Sequence, residues 1–423
     1  SLLGTDARAG EVLKVIALAR HIEGRPVLLV ALLCLTQTCA MAGFATYWSA
    51  LPVLQPAWEL TNTQAGWISG ILFGGFCLAV PFLVSVTDHR DARGIVLIGC
   101  GLTALGLVGM AVAADGFWSA MAWRAVAGAG LAGTYMPGLK ILTDRLAPGH
   151  LPRAVAFYTS SFSVGSGTSF ALSGMILGMV DWQWTFALVA LGPVIGGLAI
   201  WFLVRPRQPD QGAQPRRHAF DLRPVLRAPQ TMAYVLAYAG HTAELFAMRS
   251  WLVPFLVVSM GFSGMTGEID AAFVAMAVSF IAVASSITGA ELAIRFGRVR
   301  LISVVMVISA LTACATGFSI TLPFWLVVSL CLVYAATIQA DSSAITAGAI
   351  AMAPEGHRGA TMAVHSVIGF SGALFGPMMA GAVLDVSGGQ TSVLAWGLTY
   401  SLIGSFGLIG LACLLLLGRH ARG

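Results

Sequence analysis

The sequence predicts an all-α membrane protein whose twelve transmembrane helices form two pseudo-symmetric six-helix bundles. Three observations carry that expectation. Of the 423 residues, 57% are apolar and only 10% are charged, against roughly 45–50% and about 25% in soluble domains. With a mean hydropathy of +0.85, this excludes an ordinary soluble globular protein, and so much apolar surface excludes a disordered chain. Twelve runs are apolar enough to cross a hydrocarbon core about 30 Å thick, which takes about 20 helical residues. Finally, the basic residues gather at every second connection between those runs.

The elements follow in chain order. Residues 1–25 mix Glu11, Arg20 and Glu23 with apolar side chains. They read as a cytoplasmic amphipathic segment at the interface, without the small-residue cleavage site of a signal peptide. Spans near 26–54, 64–87, 94–114, 117–143, 154–178 and 184–204 make an amino-terminal bundle over 26–204. The longest polar stretch, 205–229, is rich in Pro and Arg and reads as a cytoplasmic linker. Spans near 230–261, 270–293, 301–318, 323–351, 360–384 and 392–417 make a second bundle over 230–417, and 418–423 form a cytoplasmic tail. Transmembrane strands would show short alternating segments, which this sequence lacks.

Charge tests the count of spans independently. Twenty of the 23 basic residues lie before the first span, in even-numbered connections or in the tail. Odd-numbered connections hold only acids, such as Glu59, Asp115, Asp181, Glu268, Asp270 and Asp385. Basic loops stay cytoplasmic, so both termini are expected in the cytoplasm of a bacterium, with the chain multi-pass in its inner membrane. The seven cysteines all fall in apolar spans without a CxxC pair and read as small hydrophobes.

The halves resemble each other at an offset near 204. Arg153-Ala154 opens span 5 as Arg358-Gly359 opens span 11, and these spans end at Asp181 and Asp385. Pro52 late in span 1 matches Pro254 late in span 7. Duplication around a midplane cavity is how many secondary transporters let one half rock against the other.

Between spans 2 and 3 the chain reads Val84-Ser-Val-Thr-Asp88-His-Arg90-Asp-Ala-Arg93, and between spans 8 and 9 Leu292-Ala-Ile-Arg295-Phe-Gly297-Arg298-Val-Arg300. Span 4 carries Arg124-Ala-Val-Ala-Gly128-Ala-Gly130, and Asp181-Trp182 precedes span 6. These strings resemble the major facilitator superfamily, whose loop between spans 2 and 3 reads G-x-x-x-D-R-x-G-R-R and whose span 4 holds R-x-x-x-G-x-G. The first copy keeps the Asp and a trailing Arg but loses both glycines; the second keeps R-F-G-R with Ile294 in place of the Asp. The resemblance covers about 26–417 and implies the major facilitator fold, alternating access and a gating network of Asp88, Arg93, Arg295 and Arg298. The plain alternative for Asp88 is a solvated acid at a helix end. The family's drug–proton antiporters carry a Gly-Pro motif in span 5, which here reads Gly165-Ser-Gly167-Thr-Ser-Phe-Ala-Leu-Ser-Gly174 without Pro. The strings of spans 7 and 10 look like the cyanate-permease-like group.

Once the twenty loop cations are set aside, Arg124, Lys140 and Arg249 remain, with the acids Glu244 and Asp341 and the histidines His241 and His365. Ionisable groups at depth cost several kcal/mol and usually mark a transport path. In span 7, Glu244 rises roughly 21 Å and Arg249 roughly 28 Å above residue 230. His241 and Glu244 share a face at i,i+3, whereas Glu244 and Arg249 lie about 140° apart. Arg124 and Arg249 are expected to grip an anion, with Tyr47, Trp48, Trp251 and Gln339 completing the substrate site. Asp341 is the foremost candidate to take and release a proton, with Glu244, His241 and His365 as further coupling groups. Each has a structural alternative: an interhelical salt bridge for Glu244 and Arg249, a backbone-carbonyl tie for Arg124, a permanent ion pair for Asp341. Lys140 sits one turn before Asp144, at pairing distance.

No phosphate-binding loop and no metal-site spacing is present in the sequence. The expected protein is therefore no enzyme, carries no cofactor and no metal, and binds no nucleic acid. It reads as a monomeric secondary transporter in the lipid bilayer, moving a small anionic substrate by alternating access coupled to protons. Proton-coupled efflux of drugs or amphiphilic compounds stays open beside it, as does a transporter-shaped receptor.

Overall fold

The computed structural model describes residues 25–207, 221–267 and 270–419. The expected segment before residue 25, linker residues 208–220 and the tail from 420 lie outside the described residues. All regular structure among the described residues is helical. Span 1 is split into α1 (Pro26–Ala40) and α2 (Thr46–Ala57). Spans 2 to 5 are α3 (Asn62–His89), α4 (Ala92–Ala113), α5 (Phe117–Arg145) and α6 (Leu151–Leu177). Span 6 comprises α7 (Trp182–Val189) and α8 (Leu191–Leu203), and a single turn, α9 (Arg223–Leu226), lies in the linker. Spans 7 to 9 are α10 (Pro229–Ser263), α11 (Ala271–Phe296) and α12 (Arg298–Phe318). Span 10 is split into α13 (Phe324–Gln339) and α14 (Ser342–Ala351), before α15 (Arg358–Val386) and α16 (Val393–Arg419).

Among the described residues, nine helical stretches are long and apolar enough to cross a membrane by length and composition: spans 2, 3 and 6 to 12. Spans 1, 4 and 5 fall short for a physical reason. Span 1 is interrupted, α5 carries Arg124, Lys140, Asp144 and Arg145, and α6 is rich in Ser, Thr and Gly. One row of polar side chains on α6 faces inward: Ser166, Ser169 and Ser173 are fully buried. Such helices satisfy polar groups against neighbours rather than presenting them to lipid.

The two halves meet along two seams, α3 against α15 and α6 against α11. A shift of six spans exchanges one seam with the other, so the repeat seen in the sequence is also a repeat in packing. On the first seam Gly66 and Gly70 bring the α3 backbone against Pro377 and Leu374 of α15; a Cβ at Gly66 would stand 2.7 Å from the Met378 Cα.

At the acidic end this seam is tied shut. Thr61 caps α3 in a reciprocal box with Gln64. Asp385, at the end of α15, accepts hydrogen bonds from the Asn62 amide (3.0 Å) and side chain (2.8 Å), and from the Thr63 amide (2.8 Å) and hydroxyl (2.6 Å). A carboxylate at a helix N-terminus is favoured by the helix dipole and by amides that have no intrahelical partner. Gln390 donates to Gln55 and Asn62, both at 2.8 Å, and extends the tie. Further along, Phe73 stacks on Phe370 at 5.7 Å and the Cys77 thiol reaches the Val367 carbonyl at 3.5 Å. Closer to the arginine-rich end Phe82 is 73% exposed.

Candidate substrate and coupling site

Among the described residues, the buried Arg124 and Arg249 both lack a carboxylate partner, but in different ways. Arg124 of α5 donates from Nε to the Ile68 carbonyl and from Nη2 to the Ser69 carbonyl, both at 3.3 Å. Its guanidinium lies 5.2 Å over the Tyr47 ring, whose hydroxyl donates to the Ala65 carbonyl. Gly128, one turn along, lets α3 approach closely enough for those bonds. Arg124 thus ties α5 to α3 with part of its donor set, and it also lines a small apolar cavity beside Met41, Phe44 and Leu131. Arg249 of α10 is 2% exposed and lies 5.8 Å over the Phe246 ring. Among the described residues it has no hydrogen-bond acceptor and no ion-pair partner. A guanidinium is always charged, and an uncompensated charge at depth costs several kcal/mol.

The acids point away from the arginines. Glu244 turns into the second bundle, where it accepts from the Ser309 hydroxyl of α12 (2.6 Å) and the Tyr334 hydroxyl of α13 (3.2 Å). Asp341 sits where span 10 is broken between α13 and α14, and its Oδ1 is 2.8 Å from His241 Nδ1. The contact meets ion-pair distance but is poorly aligned as a hydrogen bond. His241 and Glu244, neighbours by spacing, therefore have different direct partners. His365 approaches Thr346 at 3.4 Å, stacks on Tyr238 at 4.0 Å, and keeps Nδ1 without a partner. Tyr238 also stacks on His241, at 5.7 Å. The structure thus assembles Asp341, His241, Tyr238 and His365 from spans 7, 10 and 11. Gln339 is half-buried near the span 10 break, and its Oε1 has no partner.

The aromatic residues divide between the halves. Trp48 is fully buried against Phe44, Phe170 and Phe246, and its Nε1 has no acceptor. Trp251 packs within the second half, donating to the Pro377 carbonyl at 3.0 Å and meeting Trp396 edge-on. Among the described residues, the expected gating cations Arg93, Arg295 and Arg298 are not brought together. Arg93 donates to the Trp201 carbonyl at 2.7 Å and lies over the Trp201 ring, inside its own half. Arg295 lies over its neighbour Phe296, and Arg298 opens α12 half-exposed. The Asp88 side chain lies outside the described residues. Lys140 pairs with Asp144 at 3.1 Å.

Sequence reasoning missed three features. Phe246 forms ring contacts with Phe44, Trp48 and Phe73 of one half and Phe370 of the other, plugging the interface. The break at 41–45 is patched by Ser169 of α6, which accepts from the Ala45 amide (2.9 Å) and donates to the Ala42 carbonyl (2.7 Å). Gly43 beside a Ser-rich span was the only signal for it. The Asp385 tie joins residues more than 320 positions apart and carried no local signal.

A polytopic helical fold in two halves, with ionisable groups sequestered at its core, defines a membrane transporter rather than an enzyme. The Major Facilitator Superfamily model matches residues 33–293, more than half of the chain, and the chain belongs to that superfamily. Protein spinster homolog 3 of Danio rerio is 23% identical over 248 residues, 55% of this chain and 49% of that protein, so the match spans about half of that relative's length. An uncharacterized MFS-type transporter of Bacillus subtilis, YwfA, is 24% identical over 319 residues, 71% of this chain and 73% of that one. In fold, the chain is similar to a bacterial homolog of the human lysosomal transporter Spinster, in its inward-facing and unoccupied conformation. That likeness has a TM-score of 0.75 at 17% identity and covers 93% of this chain and 97% of that one.

Proposed function

We propose that this protein is a proton-coupled secondary transporter of a small organic anion in a bacterial inner membrane, working by alternating access as a monomer. The observation that carries the reading is Arg249, a buried cation without a counter-charge among the described residues. A solute anion supplies the missing partner, and a guanidinium grips a carboxylate with two parallel hydrogen bonds. Arg124, Tyr47, Trp48, Trp251 and Gln339 complete the substrate site; Arg124 retains donors beyond those bound to α3. Asp341 and His241, 2.8 Å apart and almost fully buried, exchange a proton with the aqueous path, with His365 and Glu244 as secondary acceptors. The arginine-rich end, with both termini, faces the cytoplasm. The tied acidic end and the exposure of α3 near its opposite end support a state open toward the cytoplasm, which Asp88, Arg93, Arg295 and Arg298 close in the alternate state.

The test is uptake by the purified protein in liposomes with an imposed proton gradient. Arg249→Ala should abolish anion binding while the protein stays folded, and Arg249→Lys should keep weak binding because it retains charge without the planar fork. Undiminished anion transport in the alanine variant would sink the reading. Lowered drug susceptibility on expression, lost in Asp341→Asn, would favour efflux instead.

A further inference from the structure

Each half contributes one phenol group to the rings at the interface between the halves. Tyr135 of α5 and Tyr238 of α10 are each half-buried, and they are close enough to interact electrostatically. Among the described residues neither hydroxyl has a hydrogen-bond partner, whereas the hydroxyls of Tyr47, Tyr158 and Tyr334 each reach an oxygen. The two rings are the feet of a continuous aromatic arch. Ring centroids step from Tyr135 to Phe162 (5.4 Å), Phe44 (5.5 Å), Phe246 (6.5 Å), Phe370 (6.2 Å) and Tyr238 (6.3 Å). The crown, Phe44 and Phe246, is buried, while Phe162, Phe370 and both tyrosines are half-buried.

Each foot is backed by a buried polar atom without a partner. Behind Tyr135 stacks Tyr158, whose hydroxyl lies 3.3 Å from Gln37 Oε1; Gln37 is 1% exposed and its Nε2 has no acceptor. Behind Tyr238 stacks His365, 2% exposed, with Nδ1 unpartnered. Buried polar groups normally find partners in the protein. Here unpartnered polar atoms stand behind both feet of one aromatic arch, which suits a flat solute that carries its own polar groups.

We propose that the transported solute is a flat aromatic carboxylate, and that Tyr135 and Tyr238 are its first hydrogen-bond donors, one from each half. This inference rests on the anion reading given above. The solute's ring lies against Phe162 and Phe370 in the offset or edge-on geometry that aromatic pairs prefer, and its carboxylate accepts from the two hydroxyls. Arg249, beyond Phe246, draws the anion inward. Because each half supplies one donor, the loaded clamp ties the halves together.

The test measures equilibrium binding to the purified full-length protein with four probes of similar size: benzoate, cyclohexanecarboxylate, benzamide and cyclohexanecarboxamide. Benzoate should bind about tenfold more tightly than cyclohexanecarboxylate, the gain expected from ring–ring contact. Tyr135→Phe and Tyr238→Phe, which remove only an oxygen, should each weaken benzoate about tenfold, as loss of a hydrogen bond to a charged group does, with thermal unfolding unchanged. Equal binding of the two acids, unchanged affinity in both variants, or no binding of either acid overturns the clamp. If both acids bind equally but far more tightly than the amides, the clamp fails and the anion reading survives. If benzamide matches benzoate, the anion reading fails and takes the clamp with it.

Discussion

Replacing Asp385 with Asn should loosen the acidic end of the molecule without unfolding either half. In the closed seam one carboxylate accepts four hydrogen bonds, at 2.6 to 3.0 Å, from the first residues of α3. An amide keeps one acceptor oxygen and loses the charge, so at least two of those bonds go and the rest weaken. Hydrogen bonds to charged groups contribute about 1.5–3 kcal/mol when buried. Asp385 is exposed and water replaces part of what is lost, so a loss of about 2–3 kcal/mol in total is appropriate. That shifts the closed-to-open ratio at this end by about 30- to 150-fold. Amide hydrogen exchange reads the shift locally. Peptides covering 62–70 and 374–386 should exchange faster by about that factor, while α4, which packs on α5, α7 and α8 of the first half, should not change. No acceleration at the seam would refute the tie, and uniform acceleration through both halves would show that Asp385 serves stability rather than closure.

Two further outcomes follow from the interior. Asp341→Asn should abolish uptake driven by a proton gradient while preserving counterflow exchange of the anion, because exchange needs no net proton movement; gradient-driven uptake at the normal rate would exclude Asp341 from coupling. Ser169→Ala removes both bonds that patch the break in span 1 and should destabilise the protein by about 1–3 kcal/mol, visible as a lower thermal unfolding midpoint. An unchanged midpoint would mean that water satisfies the Ala45 amide and the Ala42 carbonyl.

Much of this architecture was legible from charge alone, because the bilayer penalises misplaced ions and leaves a one-dimensional record of where the chain crosses. Arg124 and Arg249 stood out for that reason, and the Lys140–Asp144 pair could be read because i,i+4 spacing is a local rule. What spacing could not supply was the partner across space. His241 and Glu244 share a helical face, yet one meets Asp341 and the other Ser309 and Tyr334, a choice made by helices packed from elsewhere in the chain. The break at 41–45 was hidden because its cause, a serine on α6, lies more than 120 residues away. The aromatic plug was hidden because Phe44, Phe73, Phe246 and Phe370 read as ordinary apolar residues of four different spans.

Phe246 holds three positions at once. It shields Arg249, seals the interface against Phe44, Trp48 and Phe73, and touches Phe370 across from them. A change of size there alters access to the charge, the tightness of the seal and the contact between halves in one stroke. A substitution at this position therefore cannot adjust one of the three contacts and leave the other two as they were. Tyr238 is likewise committed, stacked on both His241 and His365; Tyr135 carries no such triple burden, and on the proposed clamp it is the foot of the arch where one cargo can be exchanged for another.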